Sequence, residues 1–346
     1  MIKPKRLIRG GCVAAVSLSW GGPGAVPHRY AAGKRQFEEE FRVAVTETEH
    51  ALRDLDWLAR NPRARADDLM AAFADPRVDG IISTIGGDDS IRLLPYLDTN
   101  VIRSNPKVFM GYSDTTVTHC VCRAAGLVSF YGPSFMAGFG ENGGMFPYMV
   151  DSVRRTLFDC EPIGALAPND SGWTVEHTDW ADPSTQPVAR KLNPCTGWVF
   201  HQREGVVEGA LFGGCVEVLD WLRGTPVFPA ADSLHGSILF LETSEEAASP
   251  ELLARFIRSL AAMGCLQPLA GILLGRPGGQ IDPAQFPAYA DTLCRTVREE
   301  YGMRDLPIVS NIDCGHTDPM MVLPLGVRLR IDSNRRKLSI PESAVV

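Results

Sequence analysis

Apolar residues along this chain alternate between short unbroken runs and longer stretches in which they recur at helical spacing. Residues 12–18, with Val13, Ala14, Ala15, Val16 and Leu18, form a run closed by Ser19-Trp20-Gly21-Gly22-Pro23. An apolar run bounded by a Gly/Pro turn predicts a strand buried on both faces. Between residues 36 and 74, Phe41, Val45, Leu52, Leu55, Leu58, Leu69, Ala72 and Phe73 follow helical spacing with a break at Asn61-Pro62, so helix is predicted there. Residues 78–85 predict a second buried strand that stops at Gly86-Gly87, and residues 90–97 a helix. Residues 106–112 predict a strand running into Ser113, with a helix over 115–125 behind it.

Strands alternating with helices imply a parallel sheet. The expected fold class is α/β: a doubly wound, Rossmann-like N-terminal domain over residues 1–165, then a smaller C-terminal α/β domain with a mixed sheet over 196–346. Between them, residues 166–195 are rich in Pro, Asp, Ser, Thr and Trp without periodicity, as in Ala167-Pro168-Asn169-Asp170-Ser171-Gly172-Trp173. That composition marks a linker. The second domain reads as strands at 206–212, 237–241, 269–274 and 307–312, helices at 216–222, 250–263 and 284–301, and a closing hairpin at 327–340.

Composition narrows the function. A chain of 346 residues, 45% hydrophobic and 22% charged, is long enough for two cores. Its net charge of -7 argues against nucleic acid or an anionic membrane as the main partner. The apolar run after Met1-Ile2-Lys3-Pro4-Lys5-Arg6 is short and lacks a cleavage pattern, so a first strand rather than a signal peptide is expected. No apolar run reaches the roughly 20 residues that span a bilayer, so a cytoplasmic location is expected. Nine scattered cysteines suit free thiols in a reducing compartment. Isolated histidines and the lack of a Cys-x-x-Cys pair give no metal site, and Asp88-Asp89 has no matching carboxylate cluster. Gly86-Gly87 lacks both the dinucleotide pattern and a phosphate-loop lysine, so no cofactor is expected.

Chemistry is sought at strand ends. Ser113 follows a strand and precedes a helix whose free N–H groups suit an oxyanion. A serine needs a base, and the base an acid partner. Glu242 ends the strand over 237–241 and offers the acid, or is a solvated residue opening the acidic turn Glu242-Thr243-Ser244-Glu245-Glu246. His316, in Asp313-Cys314-Gly315-His316-Thr317-Asp318-Pro319, offers the base, or is a solvated loop histidine. Ser113 itself has an ordinary alternative as a helix N-cap. Gly86-Gly87 is a second strand-end turn whose bare backbone could approach an oxyanion, or a plain tight turn.

Gly86-Gly87, Gly111-Tyr112-Ser113-Asp114-Thr115-Thr116, Tyr131-Gly132-Pro133, Gly213-Gly214, residues 238–242 and Cys314-Gly315-His316-Thr317, in this order, resemble the LD-carboxypeptidase family of serine peptidases. Thr84-Ile85-Gly86-Gly87 and the long Trp-bearing linker look more like its microcin C immunity peptidases than its murein enzymes. The resemblance implies Ser113 as nucleophile, His316 as base and Glu242 as its orienter. It implies an oxyanion hole, placed at the Gly87 and Asp114 N–H groups. Substrate contacts are expected from Gly86, Asp88, Trp180 (with Trp173 as rival for stacking on a nucleobase) and Cys215, which stands where the family typically has Asn. It further implies a homodimer, and as substrate a small peptide or peptidyl-nucleotide-like molecule with an acidic aminoacyl group, or else a muropeptide losing its terminal D-alanine. An α/β-hydrolase shares the order Ser, acid, His but wants Gly where Thr115 stands. A non-catalytic binding protein on the same plan would need no activated serine.

Overall fold

The computed structural model describes residues 1–201 and 204–346. Five strands come first: β1 (Cys12–Val16), β2 (Ala44–Glu47), β3 (Gly80–Ser83), β4 (Val108–Gly111) and β5 (Ser129–Tyr131). They pair in parallel, which requires crossovers on the sheet faces. Helices Pro27–Phe41, Pro62–Ala74 and Thr116–Ala125 are among those that serve. Covered on both sides, β3 and β4 are buried at every position, the reason their sequences read as unbroken apolar runs.

The next strands are β6 (Gly164–Ala165), β7 (Val199–Phe200), β8 (Val206–Cys215), β9 (Ile238–Glu242), β10 (Gly271–Gly275) and β11 (Ile308–Ile312). The last three are β12 (Leu323–Leu325), β13 (Arg328–Asp332) and β14 (Lys337–Ile340). The second sheet has the order β6-β14-β13-β8-β9-β10-β11-β7. Strands β8 to β11 are parallel and their neighbours antiparallel, so this sheet is mixed. The α/β class and the parallel-then-mixed plan match the sequence expectation.

Two features depart from it. The helical stretch expected over 36–74 contains a strand: Arg42 takes φ 57° at the end of helix Pro27–Phe41, and β2 follows. Left-handed backbone stops a helix, and Val45, in register with Val13, is drawn into the sheet. The sheets also exchange edge strands. β12, from the C-terminal part, pairs with β5 in the first sheet, while β6, from the N-terminal part, pairs with β14 in the second. One apolar cluster accordingly holds Val13, Ile82 and Phe130 together with Phe240, Leu273 and Val309. Among the described residues no helix is long and apolar enough to cross a membrane.

The segment expected as a linker lies across the molecule as a strap. Trp173 and Asn193 exchange backbone hydrogen bonds, as do Thr174 and Asp318. Arg190 donates from Nε to Glu141 at 2.8 Å and from Nη2 to Asp318 at 2.6 Å.

Candidate active site

The chain leaves β4 and turns sharply at Ser113, whose φ of 62° lies in the left-handed region that a serine seldom occupies. The turn is held in place. The Ser113 N–H donates to Tyr131 Oη at 3.0 Å, Thr116 Oγ1 donates to the Ser113 carbonyl at 2.7 Å, and Thr115 Oγ1 to the Tyr112 carbonyl at 2.8 Å. Such strain survives only where surrounding bonds over-determine it. The Ser113 hydroxyl does not cap the helix behind it. It lies beside Gly86, where a Cβ would come within 2.9 Å of Oγ and 3.6 Å of the Asp114 nitrogen. Any larger residue at 86 would fill the approach to the hydroxyl.

The second sheet reaches this turn through Gly213-Gly214. A Cβ on Gly214 would sit 2.5 Å from Thr116 Oγ1, so β8 can press against the turn only without a side chain there. The Cys215 N–H then donates to the same Thr116 Oγ1 at 3.2 Å. Pairing of β8 with β9 sets Cys215 level with Glu242. Glu242, fully buried at the end of β9, accepts from His316 Nδ1 at 2.7 Å through Oε2 and from Tyr131 Oη at 2.5 Å through Oε1. Tyr131 therefore bridges the Ser113 amide to the Glu242 carboxylate. Burial, then the Glu242 charge, raises its pKa well above the usual phenol value, which keeps the proton it donates.

His316 follows β11 in the loop around Gly315, against which Glu242 packs. Its ring lies 4.9 Å from that of Tyr112 at 60°. Its Nε2 pairs with Glu245 Oε2 at 2.9 Å, and not with the Ser113 hydroxyl. Burial works to lower the imidazole pKa, but Glu242 and Glu245 together hold it well above the usual value. The bond from His316 in turn holds Glu245 down to about 2. Both ring nitrogens of His316 thus face carboxyl oxygens, of Glu242 and of Glu245.

Ser113 and His316 face a cleft of about 570 Å³, well within the range of small-molecule sites. Gly86, Gly87 and Trp180 also line it. Trp180 carries the Arg29 guanidinium 4.0 Å over its ring and lies 6.5 Å from Trp20. Three expected contacts are not on its wall. Trp173 is buried against Phe286 and Arg276. Asp88 is exposed outside the cleft. Cys215 is buried, and its Sγ donates to Glu217 Oε2 at 3.1 Å: the start of the next helix turns it away from the site. The site also holds residues that sequence reasoning leaves out: Trp20, Arg29, Arg190, Glu245 and Asp318 on the wall, and Tyr131 behind it. Glu245 stood in the acidic turn already noted. Tyr131 had only its place in Tyr131-Gly132-Pro133 as a signal.

The sequence profile described as LD-carboxypeptidase N-terminal domain matches residues 13–132, and the one described as LD-carboxypeptidase C-terminal domain matches residues 208–331. The chain belongs to the LD-carboxypeptidase family. It is a serine-type peptidase, a hydrolase. The microcin C7 self-immunity protein MccF of Escherichia coli is 30% identical over 81% of this chain and 78% of its own. A solved MccF-like protein from Streptococcus pneumoniae, in complex with AMP, superposes with a TM-score of 0.85 at 30% identity, covering 95% of this chain and 98% of that one. MccF in complex with aspartyl sulfamoyl adenosine gives 0.82 at 25% identity over the full length of both chains.

Proposed function

We propose that this family member hydrolyses the bond between an aminoacyl carbonyl and the nitrogen of a nucleotide-like moiety, through an acyl-enzyme on Ser113. The observation that carries this is the 2.7 Å bond from His316 Nδ1 to buried Glu242, at a cleft where Ser113 stands in a strained turn. With Nδ1–H donated to Glu242, Nε2 presents its lone pair once the ring is neutral. Nε2 takes the Ser113 proton as Oγ attacks the carbonyl. The N–H groups of Gly87 and Asp114 receive the developing oxyanion. The protonated ring then gives its proton to the leaving nitrogen, and water, activated the same way, frees Ser113.

Trp180 supplies the aromatic face for a nucleobase, with Trp20 beside it. The solved relatives with AMP and with aspartyl sulfamoyl adenosine support a nucleotide-like leaving group. The family profiles support a second reading, release of the terminal D-alanine from a muropeptide tail. Mass spectrometry of products from a panel holding aminoacyl sulfamoyl adenosines and a muropeptide tetrapeptide separates the two. The first reading expects a free amino acid and sulfamoyl adenosine, with both absent when Ser113→Ala replaces the wild type. D-Alanine released from the muropeptide, with the adenosines untouched, would reverse the order.

A further inference from the structure

The nitrogen of His316 that must face Ser113 Oγ is occupied by Glu245, whose side chain is otherwise 73% exposed. The backbone around Glu245 is fixed. Ser244 donates from both N and Oγ to Glu217 Oε1, at 3.0 and 2.8 Å, and Ala247 closes the turn at φ 56°. On the other side a Cβ on Gly279 would strike the Glu245 carbonyl at 2.8 Å. The side chain, exposed beyond that fixed backbone, lies on the cleft wall.

The other charged cleft side chains have hydrogen-bond partners that do not involve His316. Arg190 is bonded to Asp318 and Glu141, and Arg29 to the Met136 carbonyl and Asn142. Glu176 Oε2 accepts the Lys191 N–H. Glu245 instead holds His316 Nε2, the nitrogen that must be free to take a proton in catalysis. A cation arriving with the substrate would replace that partner. Because Glu245 touches the nitrogen that receives the serine proton, its carboxylate stands next to the scissile carbonyl. In an aminoacyl compound the α-ammonium is the cation two bonds from that carbonyl.

Resting on the serine reading above, we infer that Glu245 is a specificity-determining residue: it binds the free α-ammonium group of the acyl residue that Ser113 attacks, and by moving to it releases His316. On that exchange the ring loses its Nε2 proton to solvent, and Nε2 turns to Ser113 Oγ. The substrate class is therefore amino acids with a free amine, acylated through their carboxyl onto a nitrogen. Compounds whose α-nitrogen is acylated leave Glu245 on His316 and react slowly.

The test compares alanyl sulfamoyl adenosine with its N-acetyl counterpart, on wild type, Glu245→Gln and Ser113→Ala. Wild type is expected to favour the free amine in kcat/KM by about ten-fold or more, the worth of one charge-assisted hydrogen bond. Glu245→Gln is expected to level the pair, losing rate on the free amine and gaining it on the acetylated compound. An unchanged ratio in Glu245→Gln overturns the inference. Turnover surviving in Ser113→Ala overturns the serine reading instead. If neither compound is cleaved, the rate at which a fluorophosphonate, which carries no cation, labels the protein at neutral pH decides. Faster labelling of Glu245→Gln than of wild type sustains the inference and equal labelling refutes it. No label on either folded protein removes the nucleophile, and the inference with it.

Discussion

At the scale of single residues, the chemistry depends on which nitrogen of His316 is bonded to what. Nδ1 is fixed by Glu242 and Nε2 is held by Glu245, so the ring stays charged to a higher pH than a free imidazole. The other groups around it do not compete: Tyr112 keeps its proton through burial, and Asp318 is tied to Arg190. A general base works only when deprotonated, so kcat/KM should rise with pH through the raised pKa. Its acid limb should move to lower pH in Glu245→Gln, which a pH–rate profile will show. Stability runs the other way. A folded-state pKa raised above its unfolded value gives stabilisation that is complete below about pH 6.5 and is lost as pH climbs through the folded value. The Tm difference between wild type and Glu245→Gln should therefore shrink as pH rises.

Tyr131 makes a second prediction at this scale. Tyr131→Phe removes the group that accepts from the Ser113 N–H and donates to Glu242. A buried N–H left without a partner costs about 1–3 kcal/mol, readable in urea unfolding, and kcat should fall with it. Ser113 and Glu242 were legible as candidates because each directly follows a predicted strand, and His316 because it lies in the loop just past one, all in the order of the resembling family. Tyr131 was not, because its role exists only where two sheets meet. Asp88 and Cys215 carried over as substrate contacts by position, but the fold leaves one exposed and turns the other to Glu217.

Among the elements, strands that read as short apolar runs announce themselves, and β1, β3, β4, β8, β9, β10 and β11 all fall within or beside predicted runs. β2 does not, since four residues after a helix offer too little pattern to separate strand from helical spacing. The exchanged edges β6 and β12, two and three residues long, carry no pattern at all. The close approach of β8 to the Ser113 turn was visible only as Gly213-Gly214. A Cβ on Gly213 would lie 1.7 Å from the Phe240 carbonyl, and its φ of 151° disfavours other residues. Gly213→Ala should therefore destabilise the protein by about 3 kcal/mol or more, measurable by chemical denaturation, and should disturb the site from outside it.

On the scale of the whole molecule, an apolar cluster shared by the two sheets and a strap bonded to loops of both frame the cleft. Trp180 reaches that cleft from the strap, held beneath Arg29. Removing its ring should weaken binding by about 1–3 kcal/mol, the range for base–aromatic stacking. Trp180→Ala should accordingly raise KM for an aminoacyl sulfamoyl adenosine far more than it lowers kcat. Equal losses in both would mean that the ring aids the chemistry rather than the nucleobase. Everything proposed for the site requires that the strained turn after β4 present Ser113 to His316 as an activated nucleophile. The most direct test is peptide mapping by mass spectrometry after fluorophosphonate treatment of wild type, Glu245→Gln, His316→Ala and Ser113→Ala. The account predicts a single adduct on Ser113 in wild type, nearly lost in His316→Ala and absent in Ser113→Ala. An adduct on another residue, or folded wild-type and Glu245→Gln proteins that both take up no label, would contradict it.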